Sequence, residues 1–398
     1  VIRQRQDDSW NVQDLMSGTS SNQKFHGKVR VERATITGHL KGRELTLTDA
    51  AGSLDCADYP VMKFEVTAKN QGAAIETSGT VSSDRQIVTV KADTLNLPDY
   101  LDWIPEGTLP DTVVVKEGQL QNVVLHVFRD GSKLSLSGET DFSDGAANVL
   151  GTDITDIHGH TSFTNAEALV FVDAEAAGQK ANAHGKIRLD TGTPYLDLTV
   201  SSSSFDPSKI LKNIPAQGAL SFEAAVKGPL TDPEVEGIAK MEQGTIEGIP
   251  VQNVAAKVRY QDQHVFVQDV RASVLGGRLA GEAAVSAADM SYTAHIKADG
   301  IDLAQAAVYE PSLAVVTGRV SADVGITGKG TDRSSLQVYG NASLSQGDYR
   351  GIAINSLTTS FCKAGDSITI DYLSANLPNN TSIGLEGTIE NASENPKL

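Results

Sequence analysis

The chain is predicted to be all-β, a continuous antiparallel sheet assembled in modules, on three observations. Period-2 alternation dominates stretches such as "KVRVERATITG", "RELTLTD", "KLSLSGETDF", "YLDLTVSSS", "SFEAAVKG" and "SITIDYLSA", each bounded by Gly, Asp, Asn or Ser. Aromatic residues make up only 5% of the chain against 36 glycines, and Val, Ala, Leu and Ile carry the apolar content, as expected of many strands and tight turns. The third observation is a long internal repeat.

Helical periodicity is confined to three short segments, 97–104 ("LPDYLDWI"), 206–214 ("DPSKILKNI") and 302–309 ("DLAQAAVY"). Each follows a strand and starts near Asp or Pro, an ordinary helix-start signal. Aligned on them, "TSGTVSSD", "AHGKIRLD", "LAGEAAVS" and "LEGTIENA" place Gly79, Gly185, Gly281 and Gly387 at spacings of 106, 96 and 106 residues. The segments "VERATITG", "SDGAANVLG", "EQGTIEGIP" and "SQGDYRGIA" open the corresponding units. The expected organisation is repeat 1 over 1–104, repeat 2 over 105–214, repeat 3 over 215–309 and a partial repeat 4 over 310–398. Pairing each strand with its sequence neighbour would give roughly 30 strands about 4.8 Å apart, an elongated sheet on the order of 140 Å.

The alternation also assigns faces. In "VQNVAAKVRYQ", Val254, Ala256, Val258 and Tyr260 fall on one side, opposite Asn253, Ala255, Lys257 and Arg259. In the next strand Val270, Ala272 and Val274 oppose Arg271 and Ser273. Gly276 and Gly277 are expected to make a turn, after which Leu279, Gly281, Ala283 and Val285 oppose Arg278, Ala280 and Glu282. In "YTAHIKADG", Tyr292, Ala294, Ile296 and Ala298 oppose Thr293, His295 and Lys297. The same reading extends the apolar lining to Val320, Val324, Leu336 and Val338, then to Ile368, Ile370, Leu385 and Ile389. An apolar face of this extent must be covered by something. Its recurring Gly and Ala supply too little bulk for a close-packed core, which favours an unfilled groove.

Other function classes are disfavoured. With 33 Lys plus Arg against 50 Asp plus Glu, the net charge is −17 and no basic run exists, so nucleic acid is not an expected partner. The two cysteines, Cys56 and Cys362, read as small strand hydrophobes. No 18-residue apolar run encodes a membrane-spanning helix, and a chain starting at Val1 reads as an excised piece. HExxH, GxSxG and GxxxxGK[ST] are all missing, so neither enzyme activity nor a cofactor is expected. His158 and His160 in "HGH" have the spacing of two metal ligands, with Asp153 and Asp156 nearby, but read as part of a solvated polar face. "GITGKGTDR" (325–333) reads as a hairpin turn, and Trp103, in "LDWIP", as a plug at one end of the apolar trough. Trp10 is the other tryptophan.

Two stretches carry a family resemblance. The N-terminal "RQRQDDSWNVQDLM" resembles an element of AsmA-like proteins, and "GPLTDPEVEGIAKMEQGTIEG…LGGRLAGEAAV" is similar to the β-repeat of TamB-like members of that bridge-like lipid-transfer superfamily. The resemblance implies a curled antiparallel sheet, a β-taco, whose hydrophobic groove crosses the periplasm of diderm bacteria. It further implies an N-terminal inner-membrane anchor and an outer-membrane partner of the BamA type. Phospholipids would move along the groove toward the outer membrane, or the chain would serve outer-membrane protein assembly in a translocation and assembly module. No cofactor, metal or catalytic residue is implied. The alternative from another class is a periplasmic or extracellular β-rich scaffold or adhesin stalk.

Overall fold

Long period-2 alternation with almost no 3.6-residue periodicity leaves the backbone one regular option. In this computed structural model, which describes residues 2–3, 26–40, 43–103, 113–149, 151–209, 216–330 and 335–390, the chain forms strands β1 (Ile2–Arg3) to β23 (Thr381–Ile389). Twenty-two of them make an antiparallel sheet, and the two-residue β1 pairs parallel with β2 (Lys28–Leu40).

The chain divides into two compact units, one chiefly of residues 1–178 and 182–198, the other chiefly of 199–228 and 232–398. In the first unit, strands from β2 to β10 (Glu167–Ala176) each pair with the next in sequence. In the second, the same holds from β13 (Ala216–Pro229) to β23. Short connections enforce this order. Between β16 (His264–Val274) and β17 (Gly277–Ser286), Leu275 and Gly276 take φ of 47° and 73°, the two left-handed residues of a twist-matched hairpin turn. The expected turn pair is thus shifted by one: Gly277 already pairs with Val274.

In neither unit is the sheet closed or strongly curled, which corrects the curled half-pipe expected from the resemblance. Closing a sheet on itself needs strand tilt and register stagger that match all the way round, which neighbour-to-neighbour pairing alone does not impose. The third helix is shorter than the expected 302–309: it is α1, Leu303–Ala306. The first is a 3₁₀ turn, Leu97–Trp103, and the second is described over Pro207–Lys209, with 104 and 210–214 outside the described residues. Isolated helical turns carry a nucleation cost that so few residues do not recover.

Bulges recur along the strands. Asp49, Asn122, Asp144 and Asp156 in the first unit, and Asn253 and Asp269 in the second, take φ of 51–53° beside shifts in pairing register. Asp and Asn tolerate the left-handed region, and the extra residue keeps one side of the strand apolar across the bulge. Among the described residues buried apolar side chains are few and mostly small, with Ala50, Cys56, Ala68 and Ala92 in the first unit and Met241, Val251, Leu344 and Ala375 in the second. Cys362 is exposed and, like Cys56, a free thiol.

Candidate functional site: the apolar face of the second unit

Strand registers decide which side chains share a face, because directly opposed residues point the same way. In the second unit one row runs Ala224, Gly237, Val258, Val267, Ala283, Ala294 and continues through Ile326, Val338, Lys363, Ile368 and Ile389. It crosses every strand from β13 to β23. Toward one margin lies the row Val235, Tyr260, Val265, Val285, Tyr292. On the other side Val270 opposes Gly281, and the row continues through Ile296, Val324, Gly340, Phe361 and Ile370. Beyond it, Ala272 opposes Leu279, Leu279 opposes Ala298, and Leu385 opposes Leu373. Val254 faces Met241, Ala256 faces Ala239, Val274 faces Val251, and Val320 faces Ile301 and Leu344.

The residues assigned to the lining from sequence therefore occupy adjacent rows of one face, while Leu336 sits just ahead of β20 (Gln337–Tyr349) rather than in a strand. Sequence reasoning missed Val251 and Val267, which precede Val254 and Val270 by three residues. Simple alternation puts those two on the wrong side, and the bulges at Asn253 and Asp269 restore them. It also missed Lys363, the one cation in the central row, whose Nζ donates to the Gly365 carbonyl at the turn, 2.7 Å away. An amphipathic stem with its charge led to the margin explains how a lysine sits in that row.

Large side chains on this face cover glycines of their own or a neighbouring strand. Leu344 Cδ1 and Cδ2 occupy the space beside Gly318 and Gly347, 2.7 and 2.6 Å from where a Cβ would be. Met241 Sδ fills the same positions at Gly218 and Gly244, at 2.7 and 2.5 Å, and the Tyr292 ring covers Gly328. Gly281 has a different reason: the His295 carbonyl oxygen is 2.5 Å from its would-be Cβ. Gly79 and Gly185 meet the Ile87 and Asp197 carbonyls in the same way.

The opposite face is charged and cross-linked. Lys257 Nζ is 2.7 Å from Asp269, His295 Nε2 is 2.5 Å from Asp323, Lys297 is 3.4 Å from the same carboxylate, and the Arg259 guanidinium sits 4.7 Å over the Phe266 ring. The Lys257 hydrogen bond, then its charge, holds the Asp269 carboxyl below the usual range and raises Lys257 in turn. Asp323 is lowered chiefly by the His295 hydrogen bond.

In the first unit His160 and His158 are engaged separately. His160 Nδ1 is 2.8 Å from Asp141 Oδ1, and His158 Nδ1 is 2.8 Å from the Asp156 carbonyl. Among the described residues no group of three or more His, Cys, Asp or Glu gathers as a metal site. Trp10 lies outside the described residues, Trp103 closes its 3₁₀ turn, and of the 325–333 loop only 325–330 is described, mostly as the end of β19 (Val316–Lys329). No helix among the described residues is long and apolar enough to cross a membrane.

A family model described as the TamB C-terminal domain matches residues 171–362, a span holding most of the second unit's apolar rows. No curated protein and no solved structure matches the chain.

Proposed function

With residues 171–362 a TamB C-terminal domain, we propose that the apolar face is a lane along which phospholipid acyl chains move between the inner and outer membranes. The TamB family is a periplasmic, cell-envelope family, non-enzymatic in general, with a role in outer-membrane biogenesis or lipid transport. The observation that carries the finer reading is the apolar row that crosses eleven consecutive strands and is interrupted by one lysine.

An acyl chain laid on such rows gains about 0.8 kcal/mol per methylene removed from water. Headgroups stay in solvent beyond the margins. Small, similar side chains offer no deep pocket, so no position holds a lipid much more tightly than its neighbours. Flow then takes its direction from outside the lane. In this reading the repeats of roughly 100 residues each carry a stretch of such a lane, an N-terminal segment anchors the parent protein in the inner membrane, and a BamA-type protein receives the other end.

The test is lipid extraction from the purified chain, read by native mass spectrometry or thin-layer chromatography. Co-purified phospholipid is the expected result. A lipid-free chain that also fails to take up fluorescent phospholipid from vesicles sinks the proposal.

A further inference from the structure

The charged face of the second unit holds a cavity of about 780 Å³ beside the β16–β17 turn, within the size range of small-molecule sites. Its floor comes from directly paired outward positions: Gln252 opposes Ser273, Ser273 opposes Arg278, and Arg278 opposes Asp299. Gln305 of α1, with Val308 and Tyr309 just after it, lines the same cavity, and Arg319 completes the wall.

This surround is fixed by its own hydrogen bonds. The Asp302 N–H donates to the Leu275 carbonyl at 2.9 Å, and Asp302 Oδ1 caps α1 by accepting from the Ala304 N–H at 2.9 Å. Arg319 Nη1 donates to the Gly300 and Gly276 carbonyls at 3.1 and 3.4 Å, so its guanidinium is held in place. Arg278 is different: among the described residues no hydrogen bond or ion pair engages its guanidinium, although it lines the cavity. Asp299, the carboxylate opposite, already accepts from Ser321 Oγ at 3.2 Å. Val308 and Tyr309 are 74% and 43% exposed, an apolar patch at the cavity rim. The lining thus places two guanidiniums and one carboxylate beside exposed apolar surface, in a chain of net charge −17.

We propose that this cavity binds a small amphiphilic anion, with a carboxylate or phosphate on Arg278 and a short apolar body against Val308 and Tyr309. Guanidinium suits either headgroup because its planar fork matches both. The site lies on the face opposite the acyl-chain lane and does not depend on that reading.

Calorimetric titration of the full chain with octyl phosphate and octanoate tests it. Saturable one-to-one binding is expected, weakened at least about tenfold by Arg278→Glu, the scale of one charge-assisted hydrogen bond. Val308→Asp, at an exposed position, should weaken it too, with both variants melting like the parent. Ala283→Asp, on the lane, should leave it unchanged, which separates failure here from failure of the lipid lane. An unaltered affinity in Arg278→Glu overturns the proposal, as does equal binding of octyltrimethylammonium. Inorganic phosphate binding as tightly as octyl phosphate overturns the apolar half of the site, and octanoate against octyl phosphate tells which headgroup is preferred.

Discussion

The two faces of the second unit are built from the same strands by opposite rules. The charged face is joined by specific pairs, Lys257 with Asp269 and His295 and Lys297 with Asp323, each at a defined distance. The apolar face offers few such pairs: Lys363 reaches the Gly365 carbonyl at 2.7 Å and Thr359 the Tyr372 carbonyl at 3.0 Å. Cross-strand pairing can thus hold register from one side, leaving the other side chemically uniform. A uniform surface suits a passenger that must not be recognised at any one place.

The largest expected effect comes from breaking that uniformity. Val258→Asp or Ala283→Asp places a carboxylate in the central row, and phospholipid recovered with the protein should fall roughly tenfold or more, given the cost of desolvating an unpaired charge. Arg271→Asp, on the charged face, should bind lipid like the parent. Equal losses from the two kinds of change would mean the faces are not functionally distinct.

Next comes Gly281, where any Cβ meets the His295 carbonyl oxygen. Gly281→Val should cost about 1–3 kcal/mol in urea unfolding, the scale of forced overpacking. Gly192→Ala enters open space and should stay within about 0.5 kcal/mol of the parent. A smaller effect separates bulge from charge at Asp269. Asp269→Asn keeps a residue suited to the left-handed region and loses the Lys257 pair, whereas Asp269→Val loses both, so the Val variant should melt at the lower temperature. Matching melts would show that the bulge conformation carries no stability.

The smallest effect is that of pH. Asp141, Asp269 and Asp323 are held below the usual carboxylate range, Asp141 by hydrogen bonds from Asn122 and His160. A folded-state pKa below the unfolded one contributes stability that is present above the unfolded value and lost as pH falls through the folded one. Melting temperature should therefore hold from neutral pH to about 5 and decline below about 4. A rise on acidification would show these pairs to be idle.

The facing of residues such as Val258, Ala283, Ala294 and Ile296 was legible because strand side chains alternate strictly between bulges. The bulges themselves were not: "QNV" and "QDV" look like continuous strand, and only the backbone shows Asn253 and Asp269 turning left-handed. That blind spot hid Val251 and Val267. The third helix was over-read because Asp before an apolar pair marks a start without setting a length, and α1 ends after four residues. The turn slipped by one because Leu275 takes a conformation its side chain disfavours. Curl is a property of the whole sheet that no local pattern encodes. The Arg278 cavity was invisible for a similar reason, since it joins strands to a helix more than twenty residues downstream.

The side chains that cover glycines have one more consequence. A hydrocarbon moving across the strands meets relief set by the depth between neighbouring rows. Where Leu344 and Tyr292 fold down over Gly318, Gly347 and Gly328, ridge and hollow partly cancel. For the proposed lane such a surface would act as a low-friction bearing, smoothed by setting bulky residues over the smallest ones.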